Sequence, residues 1–453
     1  MEDSIIYTER EINMALLTKK VKGTEDVLPK DSYKWEFVEK IMREESQNFG
    51  FKEIRTPVFE HTCLFARGVG ETTDVVQKEM YTFNTKGDDS ITLRPEGTAG
   101  AARALLEHAI YNAGLPVKAS YFVGCYRYEK PQAGRLREFH QFGLEVYGTS
   151  SPAADAELIS AADAIFKRLH LSDIELEINS IGCPECRKKY YDALKAYFEG
   201  YKDELCETCL SRLQKNPMRI LDCKSPVCSK IAENAPKVLD FICDECKEHF
   251  EGVKRLLDCA GIEYTVNPTI VRGLDYYTKT VFEFVTKSIG AQGTVCGGGR
   301  YDGLIEQLGG QHMPSLGFAM GIERLLMLME SQGIEIPKPE ACDIYIAGLG
   351  DKAQQKAFEL IKELRESSIY AEGDIVGRGL RAQMKYADKI KAKFSLVIGD
   401  DEIEKNSAKL KNMSDGATFD IKLDKESFLS RFYEIKIKHE IDTSGDALSS
   451  LAK

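Results

Sequence analysis

The sequence lacks any apolar run long enough to span a bilayer, which excludes a helical membrane protein. Its first twenty residues, MEDSIIYTEREINMALLTKK, are acidic early and have no apolar leader core, so no secretory signal is expected. Net positive charge is lacking too: 61 Lys and Arg are outnumbered by 72 Asp and Glu, and the formal net charge is -11. That excludes a general electrostatic grip on nucleic acid, and any such contact must come from local basic patches. Internal repeats are absent. What is there is ordinary for a globular chain. Its 453 residues, 43% hydrophobic and 29% charged, allow two or three domains with a large buried core. Thirteen cysteines are present, several in close Cys-x-x-Cys pairs. Without a leader they read as reduced thiols of a cytoplasmic protein, not as a disulfide framework.

Along the chain, residues 1–20 read as an extension. The spacing predicts a helix from Ser32 to Phe49 and strand character in KEIRTPVFE (52–60). SITLRPEGTAGAARALLEHA (90–109) reads as strand, Pro-Gly turn and helix, and 120–148 as two strands about a Gly/Arg turn. A main body (21–170 and 263–330) is thus interrupted by a Cys-rich segment (171–262). SQGIEIPKPE (331–340) reads as a linker to a small α/β domain (341–435) with a polar tail (436–453).

In YFVGCYRYEKPQAGRLREFHQFGLEVYG (121–148), strand alternation puts His140, Phe142, Leu144 and Val146 on one face. Gln141, Gly143 and Glu145 take the other, open face, where the glycine leaves room for a ligand. Arg127 and Glu129 share a face, and Lys130, Arg135 and Arg137 make the hairpin basic. A polar face alone fits a solvated hairpin. The glycine gap and the cationic loop weigh toward a binding site. RPEGT (94–98) sets Glu96, Gly97 and Thr98 at a turn before a helix, where Thr98 can also serve as a cap. RGLDYYTKTVFEF (272–284) sets an arginine, an aspartate and two tyrosines at a strand entrance. Arg324 alone reads as a surface helix charge. Gly297–Gly299 alone read as a bulged turn without phosphate-loop spacing.

In this order the pieces resemble the histidyl-tRNA synthetases, a family of class II aminoacyl-tRNA synthetases, from KGTEDVLP (22–29) to GLRAQMKYADKIKAKFSLVIGDDE (379–402). FKEIRTPVFE, with Pro57 near a dimer interface, resembles motif 1 of the class. YRYEKPQAGRLREFHQFGLEVYG resembles motif 2 and GFAMGIERLLMLM motif 3. RGLDYYTKTVFEF and GGGRYDGL resemble the two histidine-specific motifs. The resemblance implies an α+β catalytic domain on a mixed, mainly antiparallel sheet, a helical Cys-rich insertion and a C-terminal α/β anticodon-binding domain. It implies ligation of L-histidine to its tRNA through histidyl-adenylate, with ATP and Mg²⁺, in a cytoplasmic homodimer. By that pattern Arg272 and Arg127 are catalytic, and Arg127, Glu129, Arg135, Phe139, Arg272 and Arg324 bind ATP. Glu96, Gly97, Thr98, Gln141, Glu145, Tyr276 and Tyr277 hold histidine, with Glu145 and Tyr277 at opposite imidazole edges. The Gly297–Gly299 cluster forms a pocket wall. Gln132 and Arg137 meet the acceptor end of the tRNA, and the basic GRGLRAQMKYADKIKAK (377–393) lies in the anticodon module. Two rivals are weighed. The silent regulatory subunit of ATP phosphoribosyltransferase lacks the C-terminal module and degrades motifs that are intact here. A zinc-dependent nucleic-acid-binding module explains the cysteines alone.

Eight cysteines fall as four close pairs between residues 183 and 246, a departure from the better-known members of the family. Buried free thiols are the plain alternative, but four pairs fit two tetrahedral Cys₄ zinc sites. Helix lengths predict which pairs meet. A helix after Cys186 carries Cys206 and Cys209 roughly 20–25 Å away, and the chain then returns. The expectation is an interleaved pairing: Cys183, Cys186, Cys223 and Cys228 at a near site, Cys206, Cys209, Cys243 and Cys246 at a far one.

Overall fold

The computed structural model describes residues 17–451 except 71, 72, 74, 224, 271, 273 and 289–292, without the side chains of residues 440 and 442–451. Most of the expected extension, 1–20, therefore lies outside the described residues. The chain divides into two compact units, the first ending at Pro337 and the second beginning at Lys338.

The strands of the first unit are β1 (Lys52–Glu53), β2 (Phe59–His61), β3 (Thr82–Asn84), β4 (Ser90–Leu93), β5 (Val117–Tyr126), β6 (Glu138–Tyr147), β7 (Glu175–Ser180), β8 (Thr265–Val266), β9 (Thr278–Val285), β10 (Thr294–Arg300) and β11 (Ser315–Gly321). One sheet runs β1-β5-β6-β11-β10-β9-β7-β8, and a small one runs β2-β4-β3. KEIRTPVFE breaks between the two sheets at Pro57, which cannot donate to a ladder. The large sheet is antiparallel through its centre and parallel at both edges, β1 beside β5 and β8 beside β7. This is the mixed, mainly antiparallel sheet that the motifs imply.

The helices of this unit are α1 (Ser32–Asn48), α2 (Thr62–Val69), α3 (Thr98–Glu107), α4 (Pro152–Arg168), α5 (Pro184–Glu199), α6 (Glu207–Lys215), α7 (Pro226–Ala232), α8 (Asp244–Cys259), α9 (Leu304–Gln307) and α10 (Ile322–Ser331). Alternation along β6 sends Phe142, Leu144 and Val146 into one apolar layer with residues of α1, α4, α8 and α10. The α4 end of that layer is pinned by a buried ion pair. Arg300 of β10 grips Asp155 with Nε–O distances of 2.9 and 3.1 Å, and its Nη atoms donate to the Thr149 and Ser151 carbonyls. Every charge there has a partner, as burial requires. Burial lifts the Asp155 carboxyl to about 6, against the pull of Arg300.

The Cys-rich segment leaves the sheet after β7 and ends in α8, which packs on α4, β7 and β9. β7 and α8 thus belong to the sheet layer although they fall within 171–262. A second apolar cluster joins Leu194, Phe198, Leu213 and Ile220 of the insertion to Tyr276, Tyr277 and Tyr301.

In the second unit β12 (Ile344–Gly348), β13 (Ala371–Gly373), β14 (Phe394–Ile398), β15 (Ser407–Asn412) and β16 (Thr418–Lys422) are ordered β13-β12-β14-β15-β16. The first three are parallel, the rest antiparallel. Its helices are α11 (Asp351–Glu366), α12 (Leu380–Lys389), α13 (Asp400–Glu404) and α14 (Lys425–Leu451). Leu360 and Leu364 of α11 and Phe428 and Phe432 of α14 cover Ile344 and Phe394. α14 continues through the expected polar tail, which is helical to Leu451. No helix among the described residues is long and apolar enough to cross a membrane.

Candidate active site

A cavity of about 320 Å³ opens over the centre of the large sheet. Its walls come from the turn before α3, the β5–β6 hairpin, the strands β9 to β11 and the start of α10.

One end is cationic. Arg127, Arg135 and Arg324 all line it, reached from β5, the hairpin and α10. Arg127 donates from Nε to the Pro95 carbonyl at 2.8 Å and lies over the Phe139 ring, 5.2 Å from its centroid. Arg135 pairs with Glu129 at 3.3 Å. Arg324 donates to the Gly134 carbonyl at 3.1 Å and the Thr294 carbonyl at 2.7 Å, tying the hairpin to β10. Burial and the nearby Arg135 hold the Arg324 guanidinium below its usual range. Cations gathered this way are stabilised by an anion placed among them. Glu323, next along α10, fixes the hairpin strand by accepting from the His140 amide at 2.9 Å and pairing with His140 Nδ1 at 2.9 Å.

Arg272 lies between the two ends. It donates to Glu283 of β9 and sits 5.4 Å from the centroid of the Tyr277 ring. Burial opposes its charge, and Glu283 and Tyr277 more than offset that, holding the guanidinium above its usual range. A Cβ on Gly297 would overlap the Arg272 guanidinium, so the strand wall must be bare there.

The other end is made of phenols around a buried carboxyl. Tyr276, Tyr277 and Tyr301 line the cavity, with ring centroids 4.7 Å (Tyr276–Tyr277) and 5.4 Å (Tyr276–Tyr301) apart. Glu145 is fully buried beneath them. It accepts from Thr98 Oγ1 at 2.8 Å, from Tyr121 Oη at 2.9 Å and from Tyr301 Oη. Burial pushes its carboxyl up to about 8, with the three hydroxyls holding it down. Gly317, its cross-strand partner on β11, has no room for a Cβ beside that carboxylate. Glu96 caps α3, accepting from the Thr98 and Ala99 amides at 2.7 and 2.8 Å.

The expected residues largely converge. Arg127, Glu129, Arg135, Phe139, Arg272 and Arg324 line the cavity. So do Glu96, Thr98, Gln141, Tyr276 and Tyr277. The face assigned to Glu145 is correct, but the carboxyl is covered by phenols and does not stand open. The gap at Gly143 is a correction. Tyr121 pairs with Gly143 across β5 and β6, and its ring fills the space left by Gly143 and Gly97, so neither glycine admits a ligand. Gln132 and Arg137 stay on the hairpin outside the cavity lining. There Gln132 bridges to Arg135 and Arg137 stacks on Tyr128 at 4.0 Å. Sequence reasoning passed over Tyr301, Glu283, Tyr121 and Glu323. Two of them had a signal: Tyr301 stands inside GGGRYDGL, and Glu283 is the lone acid of an apolar strand.

The interleaved cysteine pairing is overturned. Cys183, Cys186, Cys243 and Cys246 form one group that could hold a metal ion, and Cys206, Cys209, Cys223 and Cys228 the other. The pairing is nested. The reason is the parallel β7–β8 pair, for which α8 is the crossover, so α8 must start where β7 ends.

A family model for histidyl-tRNA synthetase matches residues 23–325, and one for an anticodon-binding domain matches residues 343–430. A histidine–tRNA ligase of Caldanaerobacter subterraneus subsp. tengcongensis is 56% identical over 409 residues, 90% of this chain and 98% of that protein. The chain belongs to the histidyl-tRNA synthetase family. A Clostridium novyi histidine–tRNA ligase is 56% identical over 402 residues, 89% of this chain and 96% of that one. The crystal structure of apo histidyl-tRNA synthetase from S. aureus matches with a TM-score of 0.78 at 41% identity, covering 93% of this chain and all of that one. The cationic and phenolic ends of the cavity are thus features of a histidyl-tRNA synthetase family member that also carries an anticodon-binding domain.

Proposed function

We propose that the chain ligates L-histidine to its cognate tRNA in two steps. A histidine carboxylate oxygen attacks the ATP α-phosphorus, and the bond to the β-phosphate oxygen breaks. Pyrophosphate leaves with the electron pair, and histidyl-adenylate forms. A hydroxyl of the terminal tRNA ribose then attacks the activated carbonyl and AMP departs. The observation that carries this reading is one cavity with two ends, a guanidinium cluster for a polyphosphate and a carboxyl among phenols for an imidazole.

Arg127 and Arg272 stabilise the charge that builds at the α-phosphate, where fixed cations act most strongly on the transition state. Arg324 and Arg135 hold the outer phosphates, Phe139 stacks on adenine and Glu129 accepts from its amino group. Mg²⁺ enters with ATP as its counter-ion. Glu96, Thr98 and Gln141 hold the ammonium and carboxylate of histidine. Glu145 with Tyr276 and Tyr277 selects the imidazole, because buried polar partners reject an apolar isostere. Gln132 and Arg137 are placed for the tRNA acceptor end. Arg381, Lys385, Lys389 and Lys391, exposed on and just after α12, form the local basic patch for the anticodon end. The active form is a cytoplasmic homodimer, with the exposed Val58 and Phe59 beside Pro57 at its interface. Zinc is the ion we assign to the two cysteine groups. Histidine-dependent ATP–pyrophosphate exchange tests the function, and its absence with histidine would overturn the reading.

A further inference from the structure

The two cysteine groups are built for anionic sulfur. Cys183, Cys206 and Cys243 stand at the N-caps of α5, α6 and α8, so helix N-termini aim their positive ends at the sulfurs. At the outer of the two nested groups, Cys183, Cys186, Cys243 and Cys246, two such helices converge, a repulsive arrangement unless negative charge lies between them. The inner group is Cys206, Cys209, Cys223 and Cys228. Amides also point at sulfur, from Cys243 to Cys186 Sγ at 3.0 Å and from Cys206 to Cys228 Sγ at 3.3 Å. Sulfur separations of 3.5 Å (Cys183–Cys186), 4.0 Å (Cys186–Cys246) and 3.9 Å (Cys206–Cys223) rule out disulfides. They match the edge of about 3.8 Å that a tetrahedron with Zn–S near 2.3 Å requires.

The groups differ in what they hold. The outer one ties the start of α8 to the end of β7, closing the crossover. The inner one closes on α6 and the turn that follows it, and that turn reaches the active site. Asn216 Nδ2 and Arg219 Nη2 meet Asp275 Oδ1 at 3.3 and 3.5 Å, while Arg187 of α5 donates to the Asp275 carbonyl at 3.3 Å. Asp275 immediately precedes Tyr276 and Tyr277. We propose that both groups are structural zinc sites and that the inner zinc holds the 216–219 turn against Asp275, thereby positioning the two tyrosines for histidine. Asn216 and Arg219 are positioning residues in this scheme. It rests on the reading that these tyrosines bind histidine.

Elemental analysis of the full chain purified without chelator should find two zinc ions per chain, and Cys206→Ser with Cys209→Ser should leave one. Cobalt in place of zinc should show the intense thiolate-to-metal bands of a tetrahedral sulfur site. Asn216→Ala with Arg219→Ala should keep both zincs. It should raise the histidine KM in pyrophosphate exchange about tenfold, the loss of a charge-assisted hydrogen bond, with kcat and the ATP KM unchanged. Fewer than two zincs in the unsubstituted chain overturns the metal assignment. Two zincs with an unmoved histidine KM in the Asn216/Arg219 variant overturns the positioning role. A chain that carries two zincs yet gives no exchange with histidine overturns the reading beneath both.

Discussion

Glu145→Gln is the substitution with the most to say about this cavity, because one carboxyl answers for both specificity and stability. The side chain is fully buried and accepts three hydroxyl hydrogen bonds. Replacing its carboxyl disturbs the hydroxyl hydrogen bonds that set the phenol end of the cavity and should weaken histidine binding by roughly tenfold, the worth of one hydrogen bond. Ionising the carboxyl costs stability. Burial raises the carboxyl from 4.5 to about 8, so between those values the folded chain holds a proton that the unfolded chain has released. Stability then falls as pH rises through that window, and the loss is complete above it. At ~1.4 kcal/mol per unit, the full shift corresponds to about 5 kcal/mol. The glutamine variant cannot ionise and escapes this loss, though it pays a constant penalty for its altered hydrogen bonds. Urea unfolding between pH 6 and 9 should therefore show the variant gaining on the parent chain as pH rises. Pyrophosphate exchange over a histidine series should show the raised KM. A stability difference that does not change with pH would refute the buried-charge argument, and an unmoved histidine KM would refute the imidazole role.

Arg272→Ala should lower the adenylation rate on the order of 10²-fold or more while changing histidine affinity far less, because its work is on transition-state charge. Rapid-quench measurement of adenylate formation checks this, and equal loss in both quantities would make Arg272 a plain binding residue. Arg324→Ala should raise the ATP KM by about tenfold or more with the histidine KM unmoved, since it removes a charged contact at the phosphate end. Gly317→Ala would force a methyl against the Glu145 carboxylate and should cost about 1–3 kcal/mol of stability, read as a lower Tm. Asp155→Ala leaves the buried Arg300 with Asp302, at 3.3 Å, as its carboxylate partner and should cost about 3 kcal/mol, visible in the urea midpoint with the same m-value.

The sheet was legible where one face packs and the other does not. In β6 the alternation of Phe142, Leu144 and Val146 against Gln141 and Glu145 gives the correct face, because a slip of one residue would turn Gln141 and Glu145 into the apolar layer of α1, α4, α8 and α10. What alternation along one strand cannot carry is the identity of the residue opposite. Gly143 reads as room for a ligand until β5 is laid beside β6 and Tyr121 falls across it. The depth of Glu145 was hidden for the same reason: its cover comes from Tyr121 on β5 and Tyr301 beyond β10, each distant in sequence. Glu283 was passed over although a single acid among apolar neighbours needs a partner, and Arg272, at the start of the same motif, is that partner.

The cysteine pairing shows the same limit at the scale of topology. Helix lengths place Cys206 and Cys209 far from Cys183, and in the structure they fall in a different group from it. The error lay in starting the last helix at the far end because it finishes near Tyr264. A helix that joins two parallel neighbours has no such freedom: it must begin at the C-terminal end of the first strand and return to the N-terminal end of the second. β8 is two residues long and its parallel register, Glu177↔Thr265 and Ile178↔Val266, cannot be read from composition. Once that register is known, Cys243 has to lie beside Cys183. The outer pairs are then spent on each other, and the inner pairs, which leave and return within the insertion, are left to meet.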